Sequence, residues 1–194
     1  MNPRPALAAA LLLALSGCVA FEHAPAAALS CDPALAGRWR SKGDGPSRDI
    51  AVDAQCRAQW PVHGRTVEVV LRGYAQGDLR YLVLSPDEAE LMLGAEGKGL
   101  SAGAPPGSVF LAAYRIRGKR LLGWIPDSEQ IQAGIAAGTL QGRPMFAQDQ
   151  YSIVVSSDAK TVAGVLARGP APLFGDLAAP GSQAVELQRI GAAP

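Results

Sequence analysis

The sequence predicts a mainly β protein: a single small antiparallel β-barrel or barrel-like sheet of about 8–10 strands, with one short α-helix near residues 127–138. Apolar segments of four to nine residues follow one another along the chain, and most are rich in Val, Leu, Ile or Tyr. Gly, Pro, Asp or Ser separates nearly every pair of these segments. Only the segment at 127–138 has a convincing helical period, so the rest is interpreted as strands and turns.

The predicted strands are short and follow one another as an antiparallel meander. They lie at 35–40, 50–52, 66–74, 79–84, 90–93, 109–117, 121–125, 151–155, 161–167 and 184–190. Segments 117–120 and 156–160 are interpreted as hairpin connections, and Gly118 supplies the positive φ that a two-residue turn needs. Segment 94–107 is rich in Gly and holds two prolines, so we expect a long mobile loop there.

The predicted helix has a start, an apolar face and a stop. Asp127 and Ser128 are suitable N-caps, and Ile131 and Ile135 fall four residues apart on one face. Gly138 is available to end the helix. We expect this helix to act as a lid over one end of the barrel or one face of the sheet.

The N-terminal segment has the pattern of a secretory signal. Arg4 precedes an apolar run at 6–15, which is too short to span a bilayer as a permanent helix, and small residues follow it. The tetrapeptide Leu15-Ser16-Gly17-Cys18 resembles the lipobox of bacterial lipoproteins. The resemblance implies that a diacylglycerol is attached to the Cys18 thiol, that cleavage removes 1–17 as a signal peptide, and that the new amino terminus is acylated. The alternative is an ordinary cysteine after a plain secretory signal.

The residues after Cys18 bear on where the mature protein lies. Among bacterial lipoproteins an Asp in the next position often signals retention in the inner membrane, and this chain has Val19 there. The resemblance therefore implies a lipid anchor in the outer membrane, with the protein facing the periplasm; surface exposure stays open. Segment 18–30 carries a proline and no amphipathic period, so it is predicted to be a lipid-anchored tether, with a short packed helix as the alternative. The β-barrel-like domain then occupies 31–194.

Charge and composition limit the partners. Without 1–17 the chain loses Arg4, which leaves 17 basic side chains against 17 acidic ones. Nucleic acid is bound largely through clustered Lys and Arg, so no nucleic-acid partner is expected. The chain is 48% apolar, and its length suits one folded domain with an adequate core. The expected partners are the membrane, through the lipid anchor, and either a small apolar ligand or an envelope protein.

Cysteine usage predicts one disulfide. Lipidation of Cys18 leaves Cys31 and Cys56, and an even remainder in an exported chain favours a bridge that stabilises the fold by roughly 3 kcal/mol. Free thiols are the alternative. The chain has no Cys-x-x-Cys pair and only two histidines, His23 and His63, so neither a metal site nor a cofactor is expected.

Gly37 and Trp39 form a Gly-x-Trp motif at the start of the first long strand. This motif resembles that of the lipocalins and the wider calycin superfamily, which includes outer-membrane lipoproteins. The resemblance implies an eight-stranded up-and-down barrel around a cavity, with Gly37 and Trp39 closing one end and Trp39 packed against a late arginine such as Arg189. The chain departs from the family pattern because its helix precedes the last three strands rather than only the final one. The alternative is that Trp39 is simply a core aromatic.

No motif predicts catalysis, so the protein is not expected to be an enzyme and no catalytic residue is assigned. The chain has no Gly-x-Ser-x-Gly elbow, and the Gly-rich stretch at 94–99 lacks the Gly-Lys-Ser or Gly-Lys-Thr ending of a phosphate loop. His63 is interpreted as a turn residue. Asp87, Glu88 and Glu90 are interpreted as a solvated acidic face.

Two functions of different classes are therefore predicted. In the first, the domain binds a small apolar ligand in a dry pocket lined by Val67, Val69, Leu71, Leu82 and Leu84. In the second, it is an envelope structural or protein-interaction lipoprotein whose core is filled. The two functions differ in whether large inward-facing aromatic residues fill the interior of the domain, and these residues are Tyr74, Tyr81, Tyr114 and Trp124.

Overall fold

A computed structural model describes residues 18–26, 28–42, 47–94, 104–147, 150–182 and 184–193. The signal segment 1–17, with three residues of the lipobox, lies outside these ranges, as does most of the predicted loop at 94–107. The described part is mainly β, which confirms the fold class, with four helices and one 3₁₀ turn at Pro33–Leu35.

Within these ranges, twelve strands form one mixed sheet. They are β1 (Cys18–Phe21), β2 (Gly37–Lys42), β3 (Asp49–Val52), β4 (Arg57–Val62), β5 (Arg65–Val70), β6 (Gly73–Gln76), β7 (Leu79–Leu84), β8 (Val109–Arg117), β9 (Arg120–Trp124), β10 (Gly142–Ala147), β11 (Gln150–Val155) and β12 (Val185–Gly191). The main path runs β10-β11-β1-β8-β9-β12-β2-β3-β4-β5, while β7 pairs with β6 and with β8. The sheet has twelve strands and β1 is parallel to β11, so the expected number of 8–10 strands and the expected purely antiparallel pairing are both wrong. The sheet is not closed, so a barrel is not confirmed.

The four helices are α1 (Pro86–Leu93), α2 (Ser128–Ala136), α3 (Ala159–Ala167) and α4 (Ala171–Phe174). The predicted helix is α2, and Asp127 caps it by accepting hydrogen bonds from the backbone N–H groups of Glu129 and Gln130. The expectation of a single helix is wrong, because segments 90–93 and 161–167, predicted as strands, lie in α1 and α3. Each begins at an N-cap: Ser85 forms a capping box with Glu88, and Asp158 accepts from the Thr161 N–H.

The predicted tether at 18–30 is also corrected. Cys18–Phe21 is a strand of the sheet, paired with β11 on one side and β8 on the other. Val19, Ala20 and Phe21 are buried, and an extended segment with that much apolar surface is more stable inside a sheet than in water.

The sheet has a core on each face. The helix-side core packs α2, α3 and α4 against Phe21, Tyr81 and other residues of β1, β7, β8, β9 and β11. The strand-side core is formed by residues of β2, β3, β4, β5 and β12 and by residues of β7, β8 and β9 that face the other way, together with Ala89 of α1. Alternate residues of β8 point to opposite faces: Leu111 and Ala113 lie in the helix-side core, whereas Tyr114 lies in the strand-side core.

The predicted disulfide between Cys31 and Cys56 is confirmed, with 5.6 Å between the two Cα atoms. It joins the segment before β2 to the turn between β3 and β4. Cys56 is fully buried and has a φ of 60°, a conformation that a side chain other than glycine rarely adopts.

Candidate apolar ligand pocket

An apolar pocket of about 120 Å³ lies within the strand-side core. Its lining presents no polar surface to the interior. The residues that line it come from β2, β3, β4, β7, β8, β9 and β12, from α1, and from the segments next to these elements: Leu35, Trp39, Ile50, Val52, Trp60, Leu71, Leu82, Leu84, Met92, Ala112, Ala113, Tyr114, Leu121, Gly123, Trp124, Ile125, Ala184, Val185 and Leu187.

The pocket has a buried end and an exposed end. At the buried end Leu35, Trp39 and Val52 are at most 3% exposed. At the other end Ile125 is 59% exposed and Val185 is 39% exposed, so apolar side chains reach solvent there. We call this exposed end the mouth; it is formed by Ile125, Ala184 and Val185.

The Gly-x-Trp motif lies at the buried end, where Arg189 covers Trp39. The Arg189 guanidinium carbon is 4.3 Å from the centroid of the Trp39 ring, so the predicted contact between these two residues is present. Arg189 also donates hydrogen bonds to the carbonyl oxygens of Ala36 (2.9 Å) and Ala34 (2.6 Å). The Trp39 indole N–H donates to the Leu35 carbonyl at 2.7 Å. These bonds fix the ring as the floor of the pocket.

The contact between Arg189 and Trp39 also requires a glycine at position 37. Its φ is 148°, a conformation that L side chains rarely adopt, and a Cβ there would lie 3.3 Å from the Arg189 Nη1 and from the Gly191 carbonyl oxygen. A larger residue at this position would therefore strain the backbone and displace the guanidinium from Trp39.

Three of the five residues that were predicted to line a pocket do line it. Leu71, Leu82 and Leu84 line the pocket, whereas Val69 and Val67 pack in the strand-side core without lining it. The sequence does not indicate the mouth or the contribution of α1. The only signal for the mouth is that two predicted strands, 121–125 and 184–190, each include one apolar residue, Ile125 and Ala184, that lies just outside the observed strands β9 and β12.

Two of the four aromatic residues that were expected to decide whether the core is filled line the pocket, and two do not. Tyr74 and Tyr81 stack on each other at 5.1 Å and belong to the helix-side core, and neither lines the pocket. Tyr114 of the strand-side core and Trp124 of the helix-side core both line it.

A polar cluster lies beside the disulfide. The Tyr114 hydroxyl donates to the Asp32 Oδ2 at 2.7 Å, and the Arg80 Nε lies 2.8 Å from the same oxygen. Burial first, and then the hydrogen bond to Asp32, raises the pKa of Tyr114 above its usual value. Tyr114 therefore stays neutral at ordinary pH, and the cluster holds the segment that carries Cys31.

The other singled-out residues lie elsewhere. Cys18 is half-buried at the start of β1 and packs against the strand-side core, and burial raises the pKa of its thiol. Glu88 serves the capping box of α1, while His63 lies in the turn between β4 and β5 with a φ of 46°. Within the described ranges, no three His, Cys, Asp or Glu side chains come together in a way that could hold a metal ion. No helix in those ranges is long and apolar enough to span a bilayer.

Comparison with known proteins gives no match to a family model, to a curated protein or to a solved structure.

Proposed function

We propose that this protein is a lipoprotein, anchored through Cys18 on the periplasmic side of the outer membrane, whose barrel-like domain binds a small apolar ligand and catalyses no reaction. The observation that carries the proposal is the pocket in the strand-side core, which is apolar throughout and open at one end. A dry cavity of this kind favours apolar solutes because filling it removes their surface from water.

The size of the pocket limits the ligand. An engineered apolar cavity of about 150 Å³ binds benzene, so a pocket of about 120 Å³ fits a slightly smaller apolar group. If such a group buries four methylenes, at about 0.8 kcal/mol each, the gain is about 3 kcal/mol. The expected ligand is therefore a small hydrophobic molecule, or a larger one that inserts only its apolar end.

The test is saturable binding of an apolar dye, a hexylamine labelled with NBD at its nitrogen, to the purified protein, because its narrow alkyl tail can enter a pocket of about 120 Å³. Ala112 is half-buried and lines the pocket, so Ala112→Leu should occupy the space and raise the Kd at least about tenfold, equivalent to about 1.4 kcal/mol. Ala133→Leu is the matched control, because Ala133 is exposed on α2 and remote from the pocket lining. No saturable binding by the unaltered protein, or equal binding by both variants, would contradict the proposal.

One observation favours the second candidate, an envelope structural or protein-interaction lipoprotein. The pocket volume is below the roughly 300–1,000 Å³ of most ligand sites. A natively folded protein that binds no apolar probe would support this interaction role.

A further inference from the structure

The sheet divides next to Cys18. The β1 and β9 strands pair with different parts of the same edge of β8: β1 is opposite Val109 and Phe110, and β9 is opposite residues 113–117. The N-terminal end of β1 at Cys18 therefore meets the C-terminal end of β9 at Trp124. Beyond this point the β9–β12 pair and the β1–β11–β10 group follow separate paths.

The mouth of the pocket lies at this division. Ile125 directly follows Trp124, and Val185 is paired with Gly123 on the next strand. By the register of β1 with β8, Cys18 lies level with Ala112, which lines the pocket. Adjacent strands are about 5 Å apart, so the Cys18 backbone is one strand spacing from the pocket wall.

Exposed apolar residues lie at the same place. Ile125 is 59% exposed and Val185 is 39% exposed, and both line the mouth of the pocket. We call Ile125 and Val185 the collar. Phe146 is also exposed but packs on Tyr151 beside the helix-side core, so it is not part of the collar. Exposed apolar residues grouped at the opening of an apolar pocket are typical of an interaction site.

We propose that the collar is a membrane-contact surface, so that the pocket mouth opens onto the bilayer that holds the Cys18 anchor. The proposal rests on the lipid anchor of the proposed function. Because Cys18 is itself the first residue of β1, no spacer separates a lipid on its thiol from the folded sheet. The anchor therefore holds the mouth at the membrane, where Ile125 and Val185 lose their contact with water. The ligand then reaches the pocket from the bilayer, as an apolar molecule dissolved in it.

The chain offers a specific labelling experiment. With Cys18 lipidated and Cys31 bonded to Cys56, an added cysteine is the only free thiol. The variants Ile125→Cys and Val185→Cys place the fluorophore NBD in the collar. Ile190→Cys is the matched control: Ile190 is 40% exposed but lies five residues along β12 from Val185. The lipidated proteins are reconstituted into phosphatidylethanolamine and phosphatidylglycerol vesicles that contain a spin-labelled lipid quencher.

We expect the spin-labelled lipid to reduce NBD emission at least about twofold at both collar positions and to leave the label at position 190 nearly unchanged. Equal quenching at positions 125 and 190, or none in the collar, would overturn the inference. In that case dye binding by the unaltered protein would still support the pocket. If the reagent reacts with Cys18 in the protein without an added cysteine, Cys18 is not lipidated, which refutes the anchor and with it this inference. Binding of the dye in solution does not depend on the anchor and is therefore a separate result.

Discussion

Replacing Arg189 by Leu should destabilise the domain more than any other single change to an exposed or half-exposed arginine. Arg189 donates two hydrogen bonds to backbone carbonyls, at Ala34 and Ala36, and lies over the ring of Trp39. Leu keeps much of the apolar stem but removes the guanidinium. Both carbonyl groups then lose their donor, and the segment before β2 is no longer held against β12.

The magnitude follows from these contacts. Each hydrogen bond with a charged donor contributes about 1.5–3 kcal/mol to the free energy of unfolding, and the contact with the Trp39 ring adds about 0.5–2 kcal/mol. Water can reach part of a half-buried site, so the low end of the sum applies: about 3.5 kcal/mol. For a domain of this size, such a loss lowers the Tm by about 7–14 °C.

Urea unfolding followed by tryptophan fluorescence measures the loss directly, because all three tryptophans line the pocket. Arg38→Leu is the matched control: Arg38 is exposed on β2, and its replacement should change the free energy of unfolding by less than about 0.5 kcal/mol. Arg189→Lys should recover only part of the loss, since an ammonium group cannot hold both carbonyls in a planar fork. A loss below about 1 kcal/mol for Arg189→Leu, or one equal to that of the control, would refute this account of the closed end.

Three further outcomes are expected. Replacing both Cys31 and Cys56 by Ala should cost about 3.5 kcal/mol for a bridge between residues 25 apart, and should make the Tm insensitive to reductant; labelling of both thiols in the native protein would contradict the bridge. Tyr114 has a raised pKa in the folded state, so its contribution is complete below about pH 10 and falls by about 1.4 kcal/mol per pH unit above it; Tyr114→Phe should flatten this alkaline decline, and an unchanged slope would refute the assignment. Cys18→Ala should abolish labelling by radioactive palmitate and release the protein or stall its precursor; normal maturation into the outer-membrane fraction would refute the anchor.

The sequence correctly predicted features that depend only on neighbouring residues, such as a turn and a helix cap. Gly118 has a φ of 59° in the β8–β9 turn, as a two-residue hairpin requires, and Asp127 caps α2. The segment 161–167 was mistaken for a strand because its β-branched residues favour one. Its buried residues, Val162, Val165 and Leu166, nevertheless follow a helical period, and the cap at Asp158 was the signal that could have decided it.

Two strands were missed because they contain proline. Pro144 lies in β10, at the end of the sheet path, where one side of the strand has no partner and proline is tolerated. Pro61 lies in β4 beyond Gln59, where the pairing with β3 ends. Whether a proline is tolerated depends on which strands lie beside it. That is a property of the topology, which the order of residues alone does not reveal.

One end of the pocket could be predicted from the sequence and the other end could not. Its closed end was predictable, because Gly37, Trp39 and Arg189 each have a residue-specific role at one end of two paired strands. The mouth was not, because it depends on β1 and β9 sharing one edge of β8, although these strands are about a hundred residues apart in the chain. Predicting 18–30 as a tether removed β1 from the sheet and with it the division at which the pocket opens.

The space in the pocket is a property of the side chains rather than a requirement of the backbone. Gly123 lines the pocket next to the mouth, yet a Cβ there would be in ordinary van der Waals contact, 3.5 Å from the Val185 Cβ. Gly123 is also not among the residues with a positive φ, so the strand does not need glycine at this position, and glycine inside a strand is destabilising by about 0.5–1 kcal/mol relative to alanine. Ala112 and Ala184 are likewise small where the sheet divides. A protein that needed only a filled core would gain stability from larger residues at these positions, so the small residues favour a pocket that is kept open for an occupant.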